Sequence, residues 1–267
     1  MLKDITLGQY YPVESPVHAL DPRVKLAGTL VFIIAAFLAD SAVGYLILIA
    51  FLVFAVRMAR IPFKFMMRGQ KSIIIILLIS VSFNLFLTAG TPVCSLPVLS
   101  HITWEGIRRA VSMALRLILL VMGSSLMTLT TTPNTLTDGL ESSLNFLTFF
   151  HVPVHEIAMM MSIALRYIPI LMEETDKIMK AQEARGADFQ SGGLIARAKA
   201  MVPLLVPLFV SAFRRASDLA LALEARCYQG GVKRTQMKPL RYGKKDAAAY
   251  LILAAFLALM ILQRVLL

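Results

Sequence analysis

Acidic residues are scarce in this chain, and histidine and cysteine are scarcer. Sixteen Asp and Glu stand against 27 Lys and Arg, with only 4 His and 2 Cys in 267 residues. Each shortage removes a class of chemistry. Cys94 and Cys227 have no metal-ligand spacing around them. They fall in loops expected on opposite sides of a membrane, so a disulfide between them is not expected. His18, His101, His151 and His155 are scattered over helix ends and loops. His151 and His155 are four apart, but Pro153 between them argues against one zinc-binding helix face. The stretch GQKS at 69–72 lacks the spacing of a phosphate loop. No acids face one another within the apolar segments, where an intramembrane enzyme or an ion-coupled carrier needs buried ionisable groups. The opening MLKDITLGQYYPVESP has no apolar core, so no cleavable signal peptide is evident. The reading is of a non-enzyme with no catalytic, metal or cofactor site of its own.

What the chain has in abundance is apolar sequence: 58% hydrophobic residues and a mean hydropathy of +0.73, too apolar for an ordinary soluble domain. Several runs approach the ~20 apolar residues that cross a bilayer. The fold class expected is all-α, a polytopic membrane protein with about five transmembrane helices and an insert of about three amphipathic helices. The formal net charge of +11 is not a nucleic-acid signature, because the Lys and Arg cluster beside apolar spans.

Asp21 and Pro22 form a helix start, with Pro in the first helical position where its missing N–H costs nothing. Arg23 and Lys25 precede the first span, 26–39, which places the N-terminus in the cytoplasm. The Ala39-Asp40-Ser41 link has no basic residue and reads as external; 43–57 returns. Arg57, Arg60, Lys64, Arg68 and Lys71 mark the next loop as cytoplasmic. Spans follow at 72–89 and about 104–129, joined by the external loop GTPVCSLPVLSHIT. Arg108 and Arg109 oppose that rule at the outer end of the fourth span. Arg116, deeper in it, reads as a snorkelling or structurally hydrogen-bonded side chain.

From 134 to 245 the texture changes. Leu136, Leu140, Leu144 and Leu147 form a helical stripe. A long helix follows from Val154 or His155 to about Arg185, with a charged second half that cannot lie in hydrocarbon. Within it, Glu173/Lys177 and Asp176/Lys180 are spaced as acid-first ion pairs. The methionines of AMMMSIALRYIPILM read as core packing, with a repacking partner surface as the alternative. A third helix covers about 194–227; its apolar middle is too short to span, and Pro203 and Pro207 should bend it. Lys244, Lys245 and Asp246 then introduce the last span, 247–262. The organisation is 1–133 with four spans, 134–245 as a cytoplasmic helical insert, and 246–267 as the final span.

The second and third insert helices end alike, in Glu183-Ala184-Arg185-Gly186 and Glu224-Ala225-Arg226-Cys227. A basic residue at a helix C-terminus suits the dipole, and that is one account. The other is that each guanidinium is a fork for a partner's carboxylate. Residues alone leave both open.

The ordered set GQYYPVESPVHALDPRVKL, TTTPNTL with GLE, PVHEIAMMMSIALRYIPIL, AQEARG, GGLIARAKAMVPLLVPL, RRASDLALALEARCY and RT resembles the transmembrane T component (EcfT/CbiQ family) of energy-coupling factor transporters over nearly the whole chain. The resemblance implies a prokaryotic cell-membrane protein joining two cytoplasmic ATP-binding subunits to a small membrane subunit that holds a vitamin or metal ion. ATP and Mg would be bound by the partner ATPases. It implies docking of Ala184-Arg185-Gly186 and Ala225-Arg226-Cys227 into the two ATPases; Cys in place of Gly leaves room for a different turn at the second tip. Pro169, Pro203 and Pro207 are expected to set the coupling-helix bends. Replacing all three with Ala should straighten the helices and uncouple transport, measured as substrate uptake; full retained uptake would refute the bend assignment. The alternatives are a dedicated cobalt- or nickel-type T subunit and, from a different class, a stand-alone membrane carrier.

Overall fold

The computed structural model describes residues 10–70, 73–88, 91, 103–189, 193–230, 237 and 239–266. Cys94, His101 and most of the loop after the third span lie outside these residues. Every long element is a helix: α1 (Pro22–Leu38), α2 (Ala42–Ala59), α3 (Phe63–Gln70), α4 (Ile74–Leu87), α5 (Trp104–Thr130), α6 (Pro133–Leu144), α7 (Val154–Ala184), α8 (Leu194–Ala225) and α9 (Lys244–Leu266), with a 3-10 turn at Asn145–Phe150. The chain is an all-α, multi-pass membrane protein. By length and composition α2, α5, α7 and α9 can each cross a bilayer. At 17 residues α1 sits at the lower limit for a span, and α4 has 14. That α7 is long and apolar enough to span differs from the expectation set by its charged second half. All its Asp, Glu and Lys except Glu156 follow Met172, which leaves a long apolar stretch ahead of them.

The described chain divides into two compact units, Ser143–Pro239 and Gly8–Ser142 with Leu240–Leu267. The larger unit has the apolar core. Phe32 of α1, Phe51 of α2 and Phe256 of α9 stack in series, with ring centroids 6.2 and 4.0 Å apart. Leu48, Met260 and Ala35 are fully buried around them. α5 reaches this cluster because residue 123 is Gly: a Cβ there would stand 2.5 Å from the Phe32 ring. Small residues at such crossings let membrane helices approach closely where apolar burial alone offers little drive.

The N-terminal ends of α1 and α9 are fastened by carboxylates. Asp21 caps α1 as the sequence indicates, accepting from Arg23 N–H at 2.9 Å. Its own buried N–H donates to Asp246 Oδ1 at 2.9 Å, and Gly243 N–H donates to Asp246 Oδ2 at 2.7 Å. Arg23 closes the cluster through the Leu240 carbonyl and the face of Tyr242. Sequence reading treated Asp246 as a flanking charge. A Gly followed three residues later by a carboxylate is half of a capping box, and that was the available signal.

Residues 10–20 are strapped over the same end. Tyr11 N–H donates to the Leu129 carbonyl, and Lys25 Nζ donates to the carbonyls of His18 and Thr130. His18 Nε2 lies 3.0 Å from the Tyr11 carbonyl and Nδ1 2.7 Å from Ser15 Oγ. A carbonyl only accepts, so Nε2 carries the proton and neutral Nδ1 accepts from the Ser15 hydroxyl. Burial, and secondarily the Lys25 charge, lower the His18 pKa from 6.5. The unfolded chain therefore binds more protons just below that value. The strap's stability is complete above about pH 6.5 and falls as pH drops through 6.5 toward the lower folded value. Amide exchange over 10–20, corrected for intrinsic rates, should be faster at about pH 5.5 than at about pH 7.5, and His18→Gln should flatten the difference.

Candidate functional site

α7 and α8 are long because little interrupts them: each runs as one helix, α7 through Pro169 and α8 through Pro203 and Pro207. At 31 and 32 residues they measure about 46–48 Å. Among the described residues one ion pair ties them together, Arg215 Nη2 to Glu174 Oε2 at 2.6 Å. This replaces the expected Glu173/Lys177 and Asp176/Lys180 pairs, neither of which closes within 4 Å among the described residues. Glu174 lies on the face of α7 that meets α8, where a cross-helix partner is nearer than the next turn.

Both helices end in the same way. At the first tip, Gly186 N–H donates to the Glu183 carbonyl (2.9 Å) and Ala187 N–H to the Gln182 carbonyl (3.0 Å). At the second, Cys227 N–H donates to the Glu224 carbonyl (2.9 Å) and Tyr228 N–H to the Leu223 carbonyl (3.0 Å). Each is a Schellman ending, which satisfies carbonyls that a helix terminus otherwise orphans. Arg185 (φ −89°, ψ 5°) and Arg226 (φ −94°, ψ 12°) occupy the same position in it. The next residue is left-handed in both, Gly186 at φ 88° and Cys227 at φ 55°. The turn that Cys227 left open is thus the same turn. The Schellman hydrogen bonds hold a conformation that costs a non-glycine residue roughly 1–2 kcal/mol. Cys227→Gly should relieve about 1 kcal/mol of this, giving slower amide exchange at 223–228 without moving Arg226.

Ala184, Arg185 and Gly186 are exposed, as are Ala225, Arg226 and Cys227. Glu183 and Glu224 are exposed one turn-step earlier. Each tip is a cation on a small, smooth helix end, with no acid of the chain paired to the guanidinium among the described residues.

The flanks of these helices are apolar and uncovered. On α8, Val202, Leu205, Val206, Phe209 and Phe213 are each at least half exposed, while Leu204 is buried. On α7, Met160 and Met161 are 57% and 51% exposed. The core-packing reading of these two methionines is therefore corrected; the flexible thioethers lie on the surface. The leucine stripe of 136–147 is corrected as well. Its helix breaks into the 3-10 turn at Asn145, and Leu140 and Leu144 are exposed. No group of three His, Cys, Asp or Glu side chains converges among the described residues. Arg116 makes the structural hydrogen bond the sequence suggested, to the Ala39 carbonyl at 2.9 Å, with Asp40 at 3.2 Å.

A family model described as CbiQ, cobalt transport protein, matches residues 13–238. The chain is 50% identical to an energy-coupling factor transporter transmembrane protein EcfT of Thermosediminibacter oceani, over 94% of each chain. It is 48% identical to that of Clostridium kluyveri over 99% of this chain and 98% of the relative. Identity to the Bacillus subtilis protein of the same description is 46%, over 99% and 100%. The family match runs from within the strap through α8, taking in both arginine-tipped helices, and the chain belongs to the CbiQ/EcfT family of energy-coupling factor transporter transmembrane proteins.

Proposed function

We propose that this chain is the energy-coupling subunit of an importer for a vitamin or another micronutrient, and that it has no catalysis of its own. Two cytoplasmic ATPases bind ATP and Mg; a small membrane subunit binds the substrate; this chain transmits movement between them. The observation that supports this most directly is the identity of the two tips: the same ending, the same arginine position and the same exposure on two helices. A dipole-balancing cation needs no such match. Two similar grooves on two similar partners do.

In this reading Arg185 enters one ATPase and Arg226 the other, each forking onto a carboxylate, while Ala184, Gly186, Ala225 and Cys227 keep the tip slim. ATP-driven closure of the ATPase pair draws the tips together. Because α7 and α8 are rigid over about 45 Å, tip displacement becomes displacement along their length. The exposed apolar flank of α8 and the methionines of α7 are the surface offered to the substrate-binding subunit. Pro169, Pro203 and Pro207 set the bends of the two levers. The N-terminus, the strap and both tips lie in the cytoplasm of a prokaryotic cell, by the basic stretch Arg57, Arg60, Lys64, Arg68 and Lys71 that runs from the end of α2 to the start of α4.

The test is co-purification of the full chain with its two ATPases. Arg185→Glu and Arg226→Glu should each weaken association with one ATPase, and normal recovery of both from the double variant would end the proposal. The cobalt- or nickel-type alternative shares this docking and differs only in the substrate-binding partner that co-purifies.

A further inference from the structure

Arg108 and Arg109 are at odds with the charge rule that orients every other loop, and the geometry around them gives a reason. α5 has 27 residues and α1 and α2 have 17 and 18. At 1.5 Å per residue α5 is about 40 Å long, the thickness of a bilayer with its headgroups, while the α1–α2 hairpin is about 26 Å, close to the hydrocarbon alone. The register between them is fixed. The hairpin's turn meets α5 at Arg116, through the Ala39 carbonyl and Asp40, and Tyr45 Oη donates to the Ser112 carbonyl at 3.1 Å. The first turns of α5 therefore overhang the hairpin, accompanied by the end of α4, where Thr103 Oγ1 donates to the Thr88 carbonyl at 2.9 Å.

The step encloses a cavity of about 470 Å³ lined by Asp40, Tyr45, Asn84, Glu105 and Ser112 with Arg108, Arg109 and Arg116. Its acids are already engaged. Asp40 pairs with Arg116 at 3.2 Å and faces Arg264 at 3.8 Å. Glu105 accepts from Thr91 N–H and Oγ1. Counting Arg264, four guanidinium groups face two carboxylates. Arg108 and Arg109 are exposed, with no carboxylate within 4 Å among the described residues. Below the step the surface is hydrocarbon-facing: Phe37, Leu46 and Phe83 are each more than half exposed. Trp104, the first residue of α5, is 63% exposed, as an interfacial aromatic is.

We propose that this notch binds the phosphodiester headgroup of an anionic phospholipid, with Arg108 and Arg109 as its donors and the acyl chains lying down the exposed face of α1 and α2. Charge and depth argue for the same occupant. The site has two guanidinium groups, Arg108 and Arg109, that close no ion pair within 4 Å among the described residues, and guanidinium groups fork onto phosphate oxygens. It also sits at the level of α5 that only headgroups share. The inference goes beyond the coupling role and is independent of the tips; it takes from the proposed orientation only that the lipid belongs to the outer leaflet.

The test uses the full chain, delipidated in detergent and titrated with phosphatidylglycerol, phosphatidylcholine or inorganic phosphate, with bound adducts counted by native mass spectrometry. Phosphatidylglycerol should bind in preference to phosphatidylcholine. The pair Arg108→Gln with Arg109→Gln should weaken it at least about ten-fold, the change produced by losing one charge-assisted hydrogen bond. Arg57→Gln, at the other membrane face, should leave binding unchanged, and Arg108→Lys with Arg109→Lys should restore most of it, which separates loss of charge from loss of fold. Unchanged phosphatidylglycerol binding in the glutamine pair would overturn the proposal. So would displacement of the lipid by millimolar inorganic phosphate, which would make this a free-anion site.

Discussion

Uptake driven by ATP is expected to vanish when Arg185→Glu and Arg226→Glu are combined, with the chain still folded and in the membrane. In the proposed docking, each guanidinium at a helix tip would form a desolvated charge pair with a partner's carboxylate. Truncating one member of such a pair typically costs about 2–5 kcal/mol, and reversal adds like-charge repulsion. One tip alone is thus worth roughly a 30-fold to several-thousand-fold loss of affinity for its ATPase. The tips are on different helices with separate terminal hydrogen bonds, so the two losses should nearly add. The chain itself should not suffer, because both arginines are exposed and their backbone N–H groups, not their side chains, make the intrachain contacts. Glu183→Gln and Glu224→Gln are the controls: they alter the neighbouring charge without touching the fork, and uptake should persist. The readout is substrate accumulation in cells or vesicles with all subunits present. Normal accumulation in the double variant would leave the matched tips without a role.

Asp246→Ala should be the most damaging single change to the fold. Asp246 is 6% exposed and holds two backbone N–H groups, those of Asp21 and Gly243. Alanine orphans both donors, one of them on buried Asp21 at the start of α1. It also removes an anion near Lys25 and Arg23. Hydrogen bonds to a charged acceptor contribute about 1.5–3 kcal/mol each, and a buried donor left unpaired costs the full desolvation of that group. A loss of about 3 kcal/mol follows, or roughly 6–12 °C in the unfolding midpoint. Asp246→Asn should fall between, since its carbonyl oxygen still accepts one N–H while its amide group faces the other donor. Thermal unfolding of the purified chain, followed by the fluorescence of its single tryptophan, Trp104, decides it. A shift of less than a degree would mean that α1 and α9 are held by their apolar contacts alone.

The apolar runs, the basic stretch from Arg57 to Lys71, the capping Asp21-Pro22 and the repeated Glu-Ala-Arg were all readable in the chain, because each is a local pattern. A helix needs a period, a cap or a span length, and these lie within a few consecutive residues. For the same reason the boundaries of α7 and α8 fall within two residues of those expected. What escaped depends on which residues meet. Asp246 looked like one more flanking charge until its carboxylate was found on the Asp21 N–H, 225 positions away. The spacing of Glu173/Lys177 and Asp176/Lys180 suggests ion pairs within α7, whereas the pair that closes is between helices, Glu174 with Arg215. The exposure of Met160 and Met161 could not be read from helical spacing, which is the same for a face that packs and a face that waits for a partner.

Composition and periodicity thus determined that this chain crosses membranes as helices, and which of its helix ends carry arginine, because hydrophobic length and local capping act along the chain. Only the tertiary structure decided that the two endings have one geometry despite Gly in one and Cys in the other. It alone placed Arg108 and Arg109 above the end of a shorter hairpin, because register between helices is set by side-chain packing across the bundle, as where Gly123 admits Phe32, and no single segment contains that information.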